Sequence, residues 1–559
     1  MSRYLIATVL LTLAMLSKPV LGDPPPADYR NSIDAYVAAK DRSFDWRASE
    51  RILRDGYETV LIDMTSQRWL KKNEVDRQLW RHRLILTIPE ELHSSDIAFL
   101  YISGGSNDET PQRESRDLVR QIALTTGTVV AELRHVPNQP LVFREDGEPR
   151  YEDNLIAYAW VQYLQSGDPT WLPRNAMVKS AVRAMDVISE FMRKYRDGKH
   201  QIHRFVVGGG SKRGWTTWLT GAMDRRVVAI VPIVIDVLNI DVSMRHHFAA
   251  YGYWAPSIGD YVNHGIMQRM GNDELKRIYD LVDPLRYVNR LDIPQFVVNA
   301  SGDQFFLPDS AQFYWHHLLD QKYLRYVPNT NHGLGNSDGG ESIAAFHFAV
   351  TRNIRLPELA WEYQNDHEVD VIFGTVPNTI TLWQATNEDF RDFRIETFGP
   401  GYQATLRDTT ALEPGSARRY RVESPPVGWK AWYLEMSYDI GFVRPLKLST
   451  EIRVTPDNLP FEGKAPNLPT SVTFVLYDLD STDGLFDAAS AHLNASGLGT
   501  ELSVATQGNR TYLNFQPQGD ARVAYITFAG FLRNRFGDNL NASLQLESGI
   551  GATLAPIMR

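Results

Sequence analysis

The sequence predicts an α/β fold followed by a β-rich module, and two observations carry that reading. Between Tyr57 and about Asn331, short β-rich runs alternate with helical stretches, the pattern of a mostly parallel sheet covered by helices. After about Leu356 the alternation stops, and short strand-like runs are separated by turns rich in Pro and Gly. That suggests an all-β module of the immunoglobulin-like sandwich type.

The elements follow in chain order. Arg3 and the apolar stretch Tyr4 to Leu16 are too short to span a bilayer comfortably, and Val20-x-Gly22 has the small-residue spacing of a signal-peptidase site. Residues 1–22 therefore read as a cleaved signal peptide, the alternative being an uncleaved N-terminal anchor. The expected location is secreted or periplasmic, with no membrane span in the mature chain. Strands are expected at Thr59–Met64, Arg83–Ile88, Ile97–Ile102, Thr128–Leu133, Arg204–Val207, Val227–Ile235, Gln295–Asn299 and Tyr323–Val327. Several are continuous apolar runs, as strands buried on both faces require. Ala176 to Tyr195 carries apolar residues at three- and four-residue steps, the stripe of an amphipathic helix ending near Asp197-Gly198.

Residues 236–292 interrupt the alternation with an aromatic, His-containing segment. An insertion here could form a cap over the site, although its aromatics equally suit packing on the core. In the β-rich module, strands are expected at Val369–Phe373, Thr379–Gln384, Arg391–Phe398, Trp429–Tyr438 and Leu446–Val454. A Pro-rich linker runs from Pro456 to Pro469, and further β-type runs follow at Val472–Leu476 and Val523–Phe528. The expected organisation is an α/β domain over 23–355, a sandwich-like module over 356–460 and a β-rich extension over 461–559.

Composition narrows the function classes. Hydrophobic residues make up 43% and charged residues 22%, so a chain of 559 residues can bury a large core without disulfides. It contains no cysteine, which excludes disulfides, Cys-ligated zinc and a thiol nucleophile. The net charge of −9 and the short basic runs, Lys71-Lys72 and Arg225-Arg226, argue against nucleic-acid binding. No metal motif, P-loop or complete dinucleotide fingerprint is present, so no cofactor is expected. Sequons at Asn299, Asn494, Asn509 and Asn541 matter only in a eukaryotic host.

The chemistry concentrates in Phe205-Val206-Val207-Gly208-Gly209-Gly210-Ser211-Lys212-Arg213-Gly214-Trp215. An apolar strand enters a Gly cluster, then Ser, then a helix-like stretch. A nucleophile elbow needs small residues there because the strand-to-helix turn is tight. Arg213 stands where the usual Gly-x-Ser-x-Gly pattern has its last Gly, so a phosphate-binding or merely packed Gly-rich turn is the competing reading.

The rest of the triad follows in the order Ser, acid, His. Asp303 comes just past the strand Gln295–Asn299, and His332 sits in a polar turn after Tyr323–Val327. Asp236 is the second-choice acid. Asp309 reads as a helix N-cap, and His316 and His317 as packing or surface residues. Lys212 supplies one oxyanion N–H, and Gly105, after Ile97–Ile102, the other. Gly104, Arg213, Tyr251, Trp254 and Tyr261 are candidate substrate-binding residues, with Lys212 and Arg213 equally suited to structural ion pairs.

These residues also resemble a known family, the PhoPQ-activated pathogenicity-related proteins, which include PqaA-like and autocrine proliferation repressor-like members. The matching stretches are Met64-Thr65-Ser66-Gln67-x-Trp69-Leu70, Trp80-x-His82, Gly209 to Trp215, Tyr251-Gly252 with Asp260-Tyr261, Gly302-Asp303-x-Phe305-Phe306-x-Pro308-Asp309, Tyr326-Val327-Pro328-Asn329 with His332, and Gly428-Trp429-Lys430-Ala431. The resemblance implies an α/β-hydrolase domain, a following β-rich module and the same triad positions, but no substrate.

Three readings follow. The first is an exported serine hydrolase acting on an ester or peptide bond of a small-molecule or peptide substrate. The second is a secreted signalling or binding protein with a protein or receptor partner. The third is a carbohydrate-active esterase whose β module binds polysaccharide.

Overall fold

The computed structural model describes residues 27–94, 96–463, 471–477, 484–497, 499–507, 510–517, 528, 531, 532, 535, 542–547 and 552–558. The expected signal peptide, Asn509, Asn541, the linker residues 464–469 and residues 523–527 of the last expected strand lie outside them.

Nine described strands form one sheet: β1 (Asp45–Arg54), β2 (Tyr57–Arg68), β3 (Leu79–Pro89), β4 (Ile97–Ile102), β5 (Val129–Leu133), β6 (Arg204–Gly210), β7 (Val227–Ile233), β8 (Gln295–Ala300) and β9 (Lys322–Val327). Their order across the sheet is β1-β2-β3-β5-β4-β6-β7-β8-β9. The first three pair antiparallel, β3 meets β5 antiparallel, and every pairing from β5 to β9 is parallel. This is the doubly wound arrangement of an α/β-hydrolase, in which β6 is central and its C-terminal end faces the loops of β4, β8 and β9. β1 is an outer strand that no apolar run announced, because most of its residues are exposed.

The parallel strands are buried on both faces, and their side chains alternate between two cores. On β4, Ala98, Leu100 and Ile102 enter one core, while Ile97, Phe99 and Tyr101 enter the other. The covering helices are α1 (Ala27–Ala38), α2 (Asp117–Thr126), α3 (Glu152–Ser166), α4 (Pro173–Lys194), α5 (Lys212–Met223), α6 (Ile240–Tyr251), α7 (Gly259–Asn263), α8 (Asp273–Val282) and α9 (Gly339–Thr351). The expected helix over Ala176–Tyr195 is α4, begun three residues earlier by Pro173 in its first turn. Its Ser180 hydroxyl and Ala176 carbonyl take part in a buried network with Gln67, Ser66 and His82, which docks α4 on the sheet. That network accounts for the Ser66-Gln67 and His82 motif residues.

Two antiparallel sheets follow. One has the order β10 (Leu359–Asn365), β11 (Glu368–Phe373), β14 (Ser416–Arg421). The other runs β13 (Gln403–Arg407), β12 (Thr379–Asn387), β15 (Trp429–Tyr438), β16 (Leu446–Ser449), with β17 (Arg453–Thr455) also on β15. Val369, Val371 and Phe373 of the first share a core with Ile380, Leu382, Trp432 and Leu434 of the second. Two strand expectations are corrected. Arg391–Phe398 is no strand: Asp392 folds back on Arg394, and Ile395–Phe398 forms one helical turn, α10. Leu446–Val454 is broken between Ser449 and Arg453 into β16 and β17.

In the C-terminal region, β18 (Ser471–Tyr477) covers the expected Val472–Leu476 run. It pairs with β20 (Arg510–Pro517) and β21 (Ala542–Glu547), flanked by β19 (Gly499–Gln507) and β22 (Ala552–Met558). The helix α11 (Leu485–Ser496) was not foreseen.

Asp309 ties three regions together. It follows β8 and stands at the expected N-cap position, of the 3₁₀ turn Ser310–Phe313, but no backbone N–H of that turn bonds its side chain. Its buried carboxylate instead accepts bonds from His246 Nε2 on α6 at 3.0 Å and from Arg391 Nη2 at 2.6 Å. Burial pushes its pKa up, but the Arg391 and His246 charges win and hold it well below the usual carboxylate range. Removing one partner of such a pair strands a buried charge. Arg391→Met is expected to destabilise the protein by about 3–5 kcal/mol. Asp309→Asn/Arg391→Met should recover part of the loss, as read from urea unfolding midpoints. An unchanged midpoint in the single variant would remove this role from the pair.

Candidate active site

The site is built on the turn between β6 and α5. Ser211 has φ 57° and ψ −125°, a region that L-residues avoid, and serves as the N-cap of α5. Its N–H donates to Ile233 O at 2.8 Å, and its carbonyl accepts from Trp215 N at 3.0 Å. Two glycines let the helix approach the sheet. A Cβ on Gly209 would lie 2.9 Å from Ile102 O, and one on Gly214 would lie 2.8 Å from Ile233 O. The glycine requirement thus falls on 214, and position 213 is free to carry a long side chain.

That side chain crosses the loop after β4. A Cβ on Gly104 would sit 2.5 Å from Arg213 Nη2. Arg213 forks onto Glu152, with Nη1 at 2.8 Å and Nη2 at 2.5 Å, and Lys212 Nζ reaches Asp153 at 2.5 Å and Glu152 at 3.2 Å. Against the upward push of burial, the charges of Arg213 and Lys212 hold Glu152 down to about 2. Both cations therefore clamp the elbow to the start of α3. Gly105 has φ +140°, and a Cβ there would strike the His135 ring at 2.8 Å. The Lys212 N–H opens α5, where it has no partner within the helix.

The other two expected residues come together. Asp303 is buried in the loop after β8. His332 Nδ1 lies 2.8 Å from its Oδ2 and 3.0 Å from its Oδ1, and Phe305 N–H donates to Oδ1 at 2.8 Å. With Nδ1 carrying the proton for the carboxylate, Nε2 is the basic nitrogen. It is buried and hydrogen-bonds to no described group, Ser211 Oγ included. Phe305 and Phe306 pack on the imidazole with centroids at 4.4 and 5.9 Å, and both line the chamber that Ser211 also lines.

The β-rich region steadies both loops. Ile395 N–H donates to Gly302 O at 3.0 Å, Gly302 N–H to Thr330 O at 3.0 Å, and Asn329 exchanges two 2.8 Å bonds with the Tyr402 backbone.

The chamber beside Ser211 has a volume of about 70 Å³. It is walled by Trp160, Trp215, Ile235 and Val237 and, from the 236–292 segment, by Ile240, Met244, Ile258, Tyr261, Ile266, Met267 and Tyr279. Tyr261 lines it as expected, its hydroxyl donating to Asp153 at 3.0 Å. The other substrate-binding expectations are not brought there. Gly104 and Arg213 line a separate polar cavity of about 360 Å³ with Gly105 and Gly210. Tyr251 is buried under Arg394 against the C-terminal region, and Trp254 packs between His247 and Phe248. Two charged chamber residues escaped the sequence reading, Asp153 and Arg174. Each stands in the first turn of a helix, with nothing in the local pattern to mark it as part of the chamber.

Asp236, the second-choice acid, is buried and accepts from the hydroxyls of Tyr314, at 2.6 Å, and Tyr326; among the described residues no His bonds to it. Among the described residues, no group of His, Asp and Glu is arranged to hold a metal ion.

The family model described as PhoPQ-activated pathogenicity-related protein matches residues 33–394. Autocrine proliferation repressor protein A of Dictyostelium discoideum is 34% identical over 459 residues, covering 78% of this chain and 92% of that protein. Among solved structures, an acetyl xylan esterase from Paenibacillus sp. R4 superposes with a TM-score of 0.42 at 13% identity, covering 58% of this chain and 93% of that one. A glucuronoyl esterase from Solibacter usitatus gives 0.37 at 15% identity, covering 58% and 91%.

Burial lifts Asp236 to about 8, opposed by the two tyrosine hydroxyls. An acid raised in the folded state contributes stability that is present below its unfolded value, about 3.9, and lost as pH climbs through 8. Asp236→Asn is therefore expected to flatten the fall in urea midpoint between pH 4 and pH 8. Parallel wild-type and variant profiles would show that Asp236 is ionised in the folded protein.

Proposed function

The chain belongs to the PhoPQ-activated pathogenicity-related protein family, and from its Ser211 elbow we propose that it is an exported serine hydrolase acting on ester or peptide bonds. One observation carries the reading. A half-buried His332 is bound to Asp303 through Nδ1, with the buried Nε2 left without a partner among the described residues and the ring packed on two phenylalanines that line the Ser211 chamber.

In the proposed reaction, His332 Nε2 takes the Ser211 proton as Oγ attacks the carbonyl carbon. Asp303 fixes the tautomer and stabilises the imidazolium. We assign the Lys212 N–H to the oxygen that becomes negative, with the N–H of Gly105, which lines the polar cavity on the other side of the elbow, as the second donor. Collapse of the intermediate releases the leaving group with the proton from His332 and forms an ester on Ser211. Water, activated by the same imidazole, then cleaves that ester and restores the hydroxyl.

Burial makes the pair effective, because the low-dielectric surroundings strengthen its charge interaction. Nε2 is expected to engage Oγ as substrate binds, since hydrogen bonds in catalytic sites often tighten only around substrate. Export rests on the leader-like residues 1–22. We assign the two sheets after residue 356 to the immunoglobulin-like class on their strand order.

A second reading is favoured by the amoebal relative, whose name describes a repressor of proliferation. In that case the chain is a secreted signalling or binding protein with a protein or receptor partner.

A fluorophosphonate probe is expected to label the protein at Ser211, as mapped by mass spectrometry of the labelled peptide. Ser211→Ala should lose the label while keeping its thermal midpoint. Asp303→Asn should slow ester turnover by about 10³- to 10⁴-fold. A well-folded wild type that takes no label would favour the binding reading.

A further inference from the structure

The chamber beside Ser211 is apolar except for a few groups, and one of these is unbalanced. Arg174, in the first turn of α4, is 1% exposed and lines the chamber. Its Nη1 donates to Lys212 O at 2.9 Å and contacts Met177 Sδ at 3.6 Å, and its guanidinium lies 4.3 Å from the Trp215 ring centroid. Among the described residues, no carboxylate lies within ion-pair distance of it, and its Nε is buried without a partner.

The nearby carboxylates are already engaged. Asp153 and Glu152 hold Lys212 and Arg213, and Asp260 accepts from Asn154. A second chamber residue repeats the pattern: Trp160 Nε1 is also buried with no acceptor. Burial pulls Arg174 down to about 10, so it remains charged at neutral pH. A buried guanidinium without a counter-charge is costly, and such a group next to a nucleophile is arranged for an anion that arrives with the ligand. The small chamber, about 70 Å³, suits a short chain rather than a bulky group.

We propose that the chamber receives a short acyl group ending in a carboxylate, as in a hemiester of a four- or five-carbon dicarboxylic acid, and that Arg174 binds this carboxylate while Ser211 attacks the ester carbonyl. The proposal rests on the serine hydrolase reading above.

The test compares 4-nitrophenyl hemisuccinate with 4-nitrophenyl butyrate, which differ by a carboxylate in place of a terminal methyl, with spontaneous hydrolysis subtracted. The wild type is expected to prefer the hemisuccinate by about 10- to 100-fold in kcat/KM, the range of one buried charge-assisted contact. Arg174→Met should cut that ratio by the same factor, whatever its absolute rates, and Arg174→Lys should restore part of it. If Arg174→Met fails to fold, protection of wild-type Ser211 from fluorophosphonate by glutarate but not by butyrate carries the same information. Equal turnover of the two esters with Ser211 labelled, or equal protection by the two acids, would overturn the anion pocket alone. Absence of both label and turnover would overturn the hydrolase reading. A preference confined to the butyrate ester of glycolate, over that of its amide, would move the carboxylate to the leaving half and overturn the acyl assignment.

Discussion

Everything at the site depends on how closely α5 approaches the ends of β4 and β7. Ser211 can hold its left-handed backbone, at a cost of about 1–3 kcal/mol, only because the surrounding packing over-determines it. The closeness comes from Gly209 against Ile102 O and Gly214 against Ile233 O. Two charged clamps add to it. Lys212 and Arg213 reach outward from the first turn and are gripped by consecutive acids on α3. Arg174 holds the Lys212 carbonyl from the other side. Lys212, the residue that follows the serine, is therefore held both at its side chain and at its carbonyl.

The departure at position 213 has a physical explanation. An arginine where glycine is usual needs room for its guanidinium, and that room is supplied across the gap by Gly104, whose missing side chain it fills. The same substitution explains why Arg213 faces a polar cavity rather than the chamber.

Much of this was legible in the chain. The alternation of apolar runs marked eight strands of the sheet, because strands whose side chains are mostly buried leave an unmistakable composition. The triad candidates could be placed because each lies directly after such a strand. What escaped has a common cause. β1 is too exposed to carry a pattern, and Arg391–Phe398 reads as a strand although an Asp392–Arg394 ion pair bends it. Arg174 and Asp153 are buried by distant elements rather than by their own helices. Tyr251 and Trp254 look like binding aromatics because local sequence cannot tell a wall of a pocket from a filling of a core.

The bonds from Ile395 to Gly302 and from Tyr402 to Asn329 have a practical consequence for anyone dissecting the chain. The hydrophobic core that contains the elbow helix also contains Phe393, Tyr402, Ala431, Tyr433 and Val454, so it does not end where the alternating pattern ends. A recombinant fragment cut near residue 355 would expose that core, leave Asp309 without Arg391 and release the two loops that carry Asp303 and His332. Inactivity in such a fragment would report damaged architecture, not absent chemistry. The smallest unit fit for expression is therefore set by this shared core and reaches beyond the β-rich strands to at least Thr455.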